Sequence, residues 1–466
     1  MTGVGAELDV AQRVVELVRG LAGPAAQAEV TAHHWAEALT RFANSAIHQN
    51  VADASTTVRL RLHLDGRTAG GSTTVTDTLG LQGLVERTIA AARLCPPDPG
   101  WPGLTRPAPL PAGGSFDEGT AGASPDERAA RVRAFVDAAG GLETAGFCRT
   151  TYSSAAFANS AGQAVEGRSA EAAMDGIARL SGADGVARLA AGRLTDLDGA
   201  ALGARAAAKA RAGAQPVELP PGRYEVVLEP DAVADILQNL AYYGFNGKSY
   251  AEHRSFAEPG TQQFDPAVTI TDEPVAAPGQ PALSLPFDSE GTPRANLALV
   301  TDGVTTAVAH DRRTAADVGA TSTGHASASS RSWGPMPSTM RMAAGSSTAE
   351  PGPDGGPLDP TTAPLIAGVE RGLLVTDFWY TRVLDPKSLV ITGLTRNGVW
   401  LIEDGEVTSA VGNMRFTQSY PQALGPGAVR GVGARSVLLP DRWAGCWYAA
   451  PAVHLASWNL TGNASG

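Results

Sequence analysis

The chain has 466 residues, of which 43% are hydrophobic and 18% are charged, as is typical of a globular protein and not of a disordered one. Its formal net charge of −11 argues against a nucleic-acid-binding protein, which needs a basic face to neutralise phosphates. The three cysteines, Cys95, Cys148 and Cys446, are far apart and form no CxxC pair. This cysteine usage predicts a reducing, cytoplasmic location.

We also expect no contact with a membrane. No stretch of the sequence approaches about 18 uninterrupted apolar residues, which is the length that a spanning helix needs. The N-terminal residues carry charges within an amphipathic helical pattern, which does not resemble a signal peptide.

The first 218 residues combine helical patterns with one strong hairpin signal. Apolar residues recur at helical spacing over residues 7–22, and further helices are predicted at 77–95 and 125–139. The dipeptide Asp65-Gly66 is typical of a tight hairpin turn. It follows four apolar residues that alternate with polar ones, which is the pattern of a half-buried strand: Val58, Leu60, Leu62 and Leu64.

The pentapeptide FANSA occurs twice, at residues 42–46 and 157–161. Each copy leads into a segment with a glycine-containing turn and strand-like alternation. A catalytic serine is not needed twice, so we interpret the repeat as a strand-and-turn unit used twice in one N-terminal domain.

After residue 218 the pattern changes to short strands. Residues 223–229 are predicted to form a strand and residues 230–245 a helix. Two long Pro/Gly-rich loops, at 273–294 and 343–364, interrupt this half. Three dipeptides typical of hairpin turns predict an antiparallel arrangement of the remaining strands: Asp302-Gly303, Asn397-Gly398 and Asp404-Gly405.

These patterns predict an α+β fold with two domains. Residues 1–218 are expected to form an N-terminal α+β domain with an antiparallel sheet and helices. Residues 219–466 are expected to form a C-terminal β-rich domain, barrel-like or antiparallel, with a few helices.

The histidines do not form a recognisable zinc motif. Hydrolytic zinc is usually held by three protein ligands, two of them histidines one helical turn apart. No two of the eight histidines are spaced as HxxxH or HxH. The sequence alone does not exclude a zinc site assembled from residues that are distant in the chain.

The stretch TSTGHASASS, residues 321–330, places hydroxyl groups next to a histidine. A nucleophile with its base is one interpretation. We favour a turn instead, in which Gly324 permits an unusual backbone angle and the hydroxyls bond local amides. No GxSxG or SxxK motif accompanies the stretch.

Several long segments resemble one family, the TldD/PmbA or modulator-of-gyrase family. They are HDRRTAADVGATSTGHA, RGLLVTDFWYTRVLDP, GLTRNGVWLIEDGEV, NMRFTQS and PAVHLASWNLTG, and the early FANSAIHQNV is similar to the family's N-terminal domain. The resemblance spans nearly the whole chain.

The resemblance implies a division of labour between two kinds of subunit. TldD-type subunits hold zinc through HExxxH, on a helix after the first C-terminal strand, and through a cysteine near the C-terminus. TldE-type (PmbA) subunits lack the histidine motif. The two form a heterodimer that degrades unfolded peptides and trims precursor peptides.

This chain resembles the TldE type. The equivalent helix, residues 230–245, contains no histidine. Cys446 lies where the family's cysteine ligand falls, and one thiolate cannot make a zinc site, so it is at most a relic. The resemblance therefore implies no catalytic residue and no metal in this chain, with zinc in a TldD-type partner.

Peptide or partner contacts are expected from two places. One is the STGHA loop, residues 322–326, where the candidates are Ser322, Thr323, Gly324 and His325. We expect this loop to shape the peptide channel or to contact the TldD-type subunit, with His325 hydrogen-bonded to backbone. The other is Arg415, which is expected to orient a peptide or hold a partner loop.

Two alternatives remain at the level of sequence. The chain could be an active metal-dependent peptidase that uses non-standard ligands, although the missing HExxxH counts against this. It could also be a stand-alone binding or regulatory protein, indifferent to any TldD-type subunit.

Overall fold

The computed structural model describes residues 5–346, 359–440 and 445–464, so most of the Pro/Gly-rich loop at 343–364 lies outside the described residues. It confirms the α+β fold. The proposed domain boundary near residue 218 lies between a helix that ends at Ala212 and a strand that begins at Gly222. Within the described ranges, none of the helices combines the length and apolar character needed to cross a membrane.

The N-terminal half is built on one antiparallel sheet of six strands, in the order β3-β2-β1-β4-β5-β6. The strands are β1 (Gln27–Ala43), β2 (Ala46–Leu64), β3 (Arg67–Thr73), β4 (Glu143–Asn159), β5 (Ala164–Leu180) and β6 (Ala183–Ala191). The accompanying helices are α1 (Ala6–Ala22), α2 (Thr78–Leu94), α3 (Glu118–Ala121), α4 (Pro125–Ala138) and α5 (Gly199–Ala212), with a 3₁₀ turn at Leu194–Asp196. The helices predicted at 7–22, 77–95 and 125–139 are confirmed.

Both turn predictions in this half are also confirmed. Asp65 and Gly66 have φ angles of 50° and 74°, and they join β2 to β3 as a tight hairpin requires. In each FANSA copy the phenylalanine and the following alanine lie at the end of a strand, β1 or β4, and the serine lies in the turn to the next strand. The repeat is therefore a strand-and-turn unit.

The alternation along β1 and β2 gives the sheet two different faces. Apolar side chains such as Val30 and Leu60 are buried in a core with α1 and α2. Because successive side chains of a strand point to opposite faces, Glu29, Arg59 and Arg61 emerge on the other side. This polar face lines the cavities described below.

Helices α4 and α5 approach closely because α5 has glycine at the contact. A Cβ atom on Gly203 would lie 2.2 Å from the carbonyl oxygen of Phe135, and one on Gly199 would lie 2.1 Å from that of Arg131. An added methyl group would force the helices apart. The packing therefore requires glycine at both positions.

The variant Gly203→Ala is expected to lower the free energy of unfolding by about 2 kcal/mol, since overpacking a tight contact forces backbone shifts. Urea denaturation measures the change. The control is Gly20→Ala on α1, where a Cβ would meet nothing within 4 Å. That control should be neutral or slightly stabilising, because alanine favours helix over glycine. Equal effects of the two substitutions would contradict this account of the α4–α5 contact.

The C-terminal half contains two further sheets, which confirms its β-rich character. One has seven strands: β7 (Gly222–Leu228), β12 (Arg371–Asp385), β13 (Val390–Glu403), β14 (Glu406–Ala410), β15 (Met414–Ser419), β16 (Val429–Val432) and β19 (Val453–Asn463). It closes like a barrel because β12 pairs with both β7 and β13. The other has six: β8 (Ile270–Asp272), β9 (Leu297–Thr301), β10 (Val304–Thr305), β11 (Thr339–Met342), β17 (Val437–Leu439) and β18 (Trp447–Ala450).

The helices of this half are short. They are α6 (Pro230–Asn239), α7 (Gly247–Ala251), α8 (Arg312–Asp317), α9 (Ser330–Trp333), α10 (Ala363–Ile366) and α11 (Tyr420–Ala423), with a 3₁₀ turn at Pro360–Thr362. The helix predicted at 230–245 is confirmed, although its last turn, Leu240–Gly244, is a π-helix. Residues of α6 are buried between the two sheets, in one core with Phe378, Phe416 and Trp458.

One turn prediction is wrong. Asn397-Gly398 does not end a strand, because β13 continues through it from Val390 to Glu403. The two residues form a bulge opposite Thr376, whose hydroxyl lies 3.2 Å from the carbonyl oxygens of both. Their positive φ angles, 60° and 139°, suit a bulge as well as a turn. The hairpin turns at Asp302-Gly303 and Asp404-Gly405 are confirmed.

Candidate functional site: a cleft above the N-terminal sheet

Two adjoining cavities separate the polar face of the N-terminal sheet from loops of the C-terminal half. Their volumes are about 760 and 600 Å³. Both are lined by Thr31 and Arg59 from the sheet and by Ser289 and Ala326 from the loops. The sheet forms one wall of this cleft, and the STGHA loop forms part of the opposite wall.

The larger cavity runs across four strands of the sheet, β2, β1, β4 and β5. Its wall on that side includes His33 and Trp35 of β1, Arg149 of β4 and Glu171 of β5. The loops that close it comprise residues 283–289, 325–329 and 445–447. Polar side chains at alternate positions on neighbouring strands make a surface that offers hydrogen-bond donors and acceptors to an extended ligand.

The STGHA loop has the turn conformation that the sequence predicts. Gly324 has a φ angle of 76°, and a Cβ there would lie 2.9 Å from the carbonyl oxygen of Pro293. The Ser322 hydroxyl donates to the carbonyl oxygen of His310 at 3.3 Å. The backbone N–H of His310 donates to the Thr323 hydroxyl at 2.7 Å. These two bonds join the loop to the backbone of His310, which lies 12 and 13 residues earlier. The local bond that the sequence predicts is also present, since the N–H of Gly324 donates to the Ser322 hydroxyl at 3.3 Å.

His325 is buried and bonds two side chains, which corrects the expectation that it bonds backbone. Its Nε2 lies 2.8 Å from Oδ2 of Asp272, and its Nδ1 lies 2.8 Å from the Thr323 hydroxyl. The other oxygen of Asp272 accepts the N–H groups of Ser338 and Thr339 at 2.8 and 2.6 Å. A carboxylate only accepts, so Nε2 carries a proton and donates it to Asp272.

The His325–Asp272 pair fixes the loop to strand β8. Both side chains have no exposed surface. Burial acts to raise the pKa of Asp272, but the hydrogen bond and charge of His325 and the Thr339 N–H outweigh it and lower the pKa below its ordinary value. Since the carboxylate is held ionised and both ring nitrogens are used, this histidine is suited to positioning the loop.

The structure brings only one of the other two predicted site residues to the cavity that this loop lines. Arg415 is exposed on β15, in the barrel-like sheet, and lines neither cavity. Cys446, in contrast, lines the larger cavity and is 4% exposed. It is not in a disulfide.

The side chains of α6 do not fit a zinc site. Its buried polar residues, Asp235 and Asn239, bond each other at 3.2 Å. Asp235 also accepts the hydroxyls of Tyr420 and Thr381, each at 2.8 Å. Within the described residues, no three His, Cys, Asp or Glu side chains are grouped to hold a metal ion.

A buried charge cluster that sequence reasoning missed lies beside the smaller cavity. It consists of Glu29, Arg61, Glu290 and Arg312, in which each guanidinium contacts both carboxylates. Arg61 bonds Glu290 at 2.8 Å and Arg312 bonds it at 3.0 Å. The cluster joins β1 and β2 to α8 and the 284–290 loop, and Trp101 lies under the Arg61 guanidinium at 5.0 Å.

Burial acts to raise the pKa of Glu290, but the guanidinium groups of Arg61 and Arg312 outweigh it and hold the pKa below its ordinary value. The neighbouring Asp288 differs. Burial and the Glu290 charge raise its pKa to about 6, although N–H groups of Ala326 and Thr292 bond it. The Asp288–Ala326 bond, at 2.9 Å, ties the STGHA loop to the 284–290 loop.

The sequence carried one usable signal for this cleft. Polar residues recur at alternate positions along β1, as Glu29, Thr31, His33 and Glu37, in the pattern of a strand with one face outside the apolar core. Nothing local to the sequence indicates that Asp272, Glu290 and Arg312 complete the site, because their partners are distant in the chain.

Three solved structures share this fold over nearly the whole chain. One is a proposed modulator of a DNA gyrase from Thermotoga maritima, with 17% identity, a TM-score of 0.82 and coverage of 97% of this chain and 99% of that one. TldE from Thermococcus kodakarensis has 17% identity and a TM-score of 0.82, covering 97% and 100%. A proposed modulator of DNA gyrase from Bacteroides thetaiotaomicron has 19% identity and a TM-score of 0.81, covering 99% and 100%.

No curated protein sequence matches the chain. At the level of families, the profile of the PmbA/TldA metallopeptidase C-terminal domain matches residues 221–457. This match covers 237 of the 466 residues, more than half of the chain. The chain therefore belongs to the TldD/PmbA metallopeptidase family.

Proposed function

We propose that this chain is a TldE/PmbA-type subunit of a zinc metallopeptidase heterocomplex and holds no metal itself. The observation that carries the proposal is the chemistry of α6, the helix that follows the first C-terminal strand. It has no histidine, and its buried polar side chains, Asp235 and Asn239, are committed to hydrogen bonds within the protein. The zinc of the complex belongs to a TldD-type partner.

In this proposal the chain shapes a cytoplasmic chamber in which the partner cleaves unfolded or precursor peptides. The larger cavity supports a peptide ligand, because its volume of about 760 Å³ is lined by polar side chains of the sheet that can bond the backbone of an extended peptide. Recognition through backbone groups tolerates many sequences, as a peptidase for unfolded chains requires.

The predicted contact residues act in different ways. Ser322, Thr323, Gly324 and His325 hold the loop whose next residues, 326–328, line both cavities. Their contribution to a peptide or partner contact is therefore the position of the loop. Arg415 is exposed on β15 and contacts the partner directly.

Reconstitution tests the proposal. The HExxxH-containing TldD-type protein of the same organism and this chain are purified separately, and hydrolysis of an unfolded polypeptide is measured for each protein and for the mixture. We expect hydrolysis only by the mixture, abolished by a zinc chelator. Chelator-sensitive hydrolysis by this chain alone would favour an independent peptidase. Full activity of the TldD-type protein alone would favour a stand-alone protein.

A further inference from the structure

We propose that the partner docks on one defined surface of this chain, the outer face at the hairpin end of β12. This surface, called here the Trp379 patch, consists of Trp379, Tyr380, Arg382, Leu384, Arg396 and Arg415. Its occupant is a TldD-type subunit that presents carboxylates and apolar side chains. The inference rests on the proposed function and names the surface through which that complex forms.

Strand register places the patch on one face of the barrel-like sheet. Trp379 is paired with Leu394 across β12 and β13, and Leu394 is paired with Arg415 across β13 and β15. Directly opposed residues in antiparallel strands point to the same face. The neighbours Phe378 and Phe416 point to the other face, where both are completely buried.

The patch exposes large apolar side chains to an unusual extent. Trp379 is 44% exposed, Tyr380 is 64% exposed and Leu384 is 59% exposed. Arg382 lies 4.2 Å from the centroid of the Tyr380 ring, and Arg396 lies 5.6 Å from that of Trp379. Trp, Tyr and Arg are the residues most enriched at the energetic centres of protein interfaces.

The backbone is irregular where the aromatic side chains emerge. Tyr380 has a φ angle of 54°, which is rare for a bulky residue. The pairing of β12 with β13 shifts register between Trp379 and Arg382, so Tyr380 and Thr381 form a bulge. A bulge re-aims side chains, and here it presents neighbouring aromatic residues together.

Charge identifies the chemistry of the occupant. Arg382, Arg396 and Arg415 are exposed, and within the described residues none of them forms an ion pair. Three unpaired guanidinium groups attract a surface that carries carboxylates. Because the exposed Trp379, Tyr380 and Leu384 lie among these arginines, an occupant that offers both carboxylates and apolar side chains, a protein surface, matches the patch.

Binding of this chain to the TldD-type protein of the same organism, measured by biolayer interferometry, tests the proposal. Trp379→Ala should raise the dissociation constant roughly 30-fold or more, the effect of losing an interface hot spot. Arg415→Glu should lower the association rate by roughly tenfold at low salt, and added salt should reduce the difference.

Two matched variants control for exposure and charge. Trp333→Ala removes a tryptophan that is 71% exposed and lies on α9. Arg371→Glu reverses a charge at the other end of β12, where the side chain is 68% exposed. Both should bind like the wild type. Thermal unfolding of Trp379→Ala, Arg415→Glu and Trp333→Ala should match the wild type, since none of these side chains is in the core. Arg371→Glu should lose about 1 kcal/mol or less of stability, because it places a glutamate directly opposite Glu403.

Other outcomes would overturn the proposal. If the wild type binds and the patch variants bind equally well, the patch is not the docking surface, although the proposed function stands. If the wild type does not bind the TldD-type protein, the proposed docking surface and the proposed function both fail. Light scattering that shows a dimer of this chain, made monomeric by Trp379→Ala, would assign the patch to a second copy. Binding of a single-stranded DNA of about 20 nucleotides, lost in Arg415→Glu, would assign it to nucleic acid.

Discussion

Replacing Arg312 by alanine is expected to lower the free energy of unfolding by about 3–5 kcal/mol, the cost of breaking a buried ion pair by removing one partner. Arg312 bridges Glu29 and Glu290, whose side chains are only 2% and 4% exposed. After the substitution Arg61 alone must compensate two buried carboxylates. Chemical denaturation followed by circular dichroism measures the loss.

The adjacent residue provides the control. Arg313 also forms an ion pair, with Asp98 at 2.8 Å, but its side chain is 35% exposed. Arg313→Ala should cost about 1 kcal/mol or less, because solvent screens an accessible pair. The stability loss of Arg312→Lys should lie between the losses of Arg312→Ala and Arg313→Ala, since an ammonium group cannot bond two carboxylates as a planar guanidinium does. Equal losses for Arg312→Ala and Arg313→Ala would contradict the view that burial determines the importance of the cluster.

Replacing His325 by alanine is expected to cost about 3 kcal/mol of stability, because it leaves the buried Asp272 carboxylate with only two backbone donors. The STGHA loop then loses its bond to β8, so the peptidase rate of the reconstituted complex should fall as well. His48→Ala is the control. That histidine is exposed on β2, so His48→Ala should change the free energy of unfolding by no more than about 0.5 kcal/mol. A His325→Ala protein with unchanged stability, complex formation and rate would remove the role proposed for this residue.

The same pair predicts how stability depends on pH. The pKa of Asp272 is lower in the native state than its ordinary value, so in acid the unfolded chain binds more protons than the native one. This contribution is present at neutral pH and is lost as the pH falls below about 4. Asp272→Asn should make the decline in urea midpoint between about pH 6 and about pH 3 shallower than in the wild type. An unchanged slope would contradict this assignment.

Local signals in the sequence were sufficient for the elements that depend on neighbouring residues. The helix at 125–138 begins at a capping box formed by Ser124 and Glu127, and the turn at Asp65-Gly66 needs residues that tolerate positive φ. Such features are determined within a few residues, so composition and spacing predict them. The two-faced alternation of Val58 to Leu64 belongs to the same class.

Asn397-Gly398 shows where local signals fail. The dipeptide tolerates positive φ at both residues, and both a hairpin turn and a bulge have that requirement. The choice is made by β12, which pairs with β13 on both sides of the bulge. Because that pairing joins residues distant in the sequence, the dipeptide alone could not distinguish the two structures.

The cleft could not be assembled from the sequence for the same reason. His325 was identifiable as unusual, but its partner Asp272 lies 53 residues earlier, on a strand of three residues. In the buried charge cluster, Arg312 contacts Glu29 from 283 residues away. The hydrogen-bonded role of Asp235 on α6 was also hidden, because its partner Tyr420 belongs to another element.

The most direct test of the central claim is the zinc content of this chain, purified alone, incubated with zinc and freed of excess metal by gel filtration. We expect a zinc content near zero per polypeptide, because the helix after the first C-terminal strand has no histidine and a single cysteine cannot hold the metal. A value near one would contradict it, and the chain would then have to be treated as a metallopeptidase in its own right.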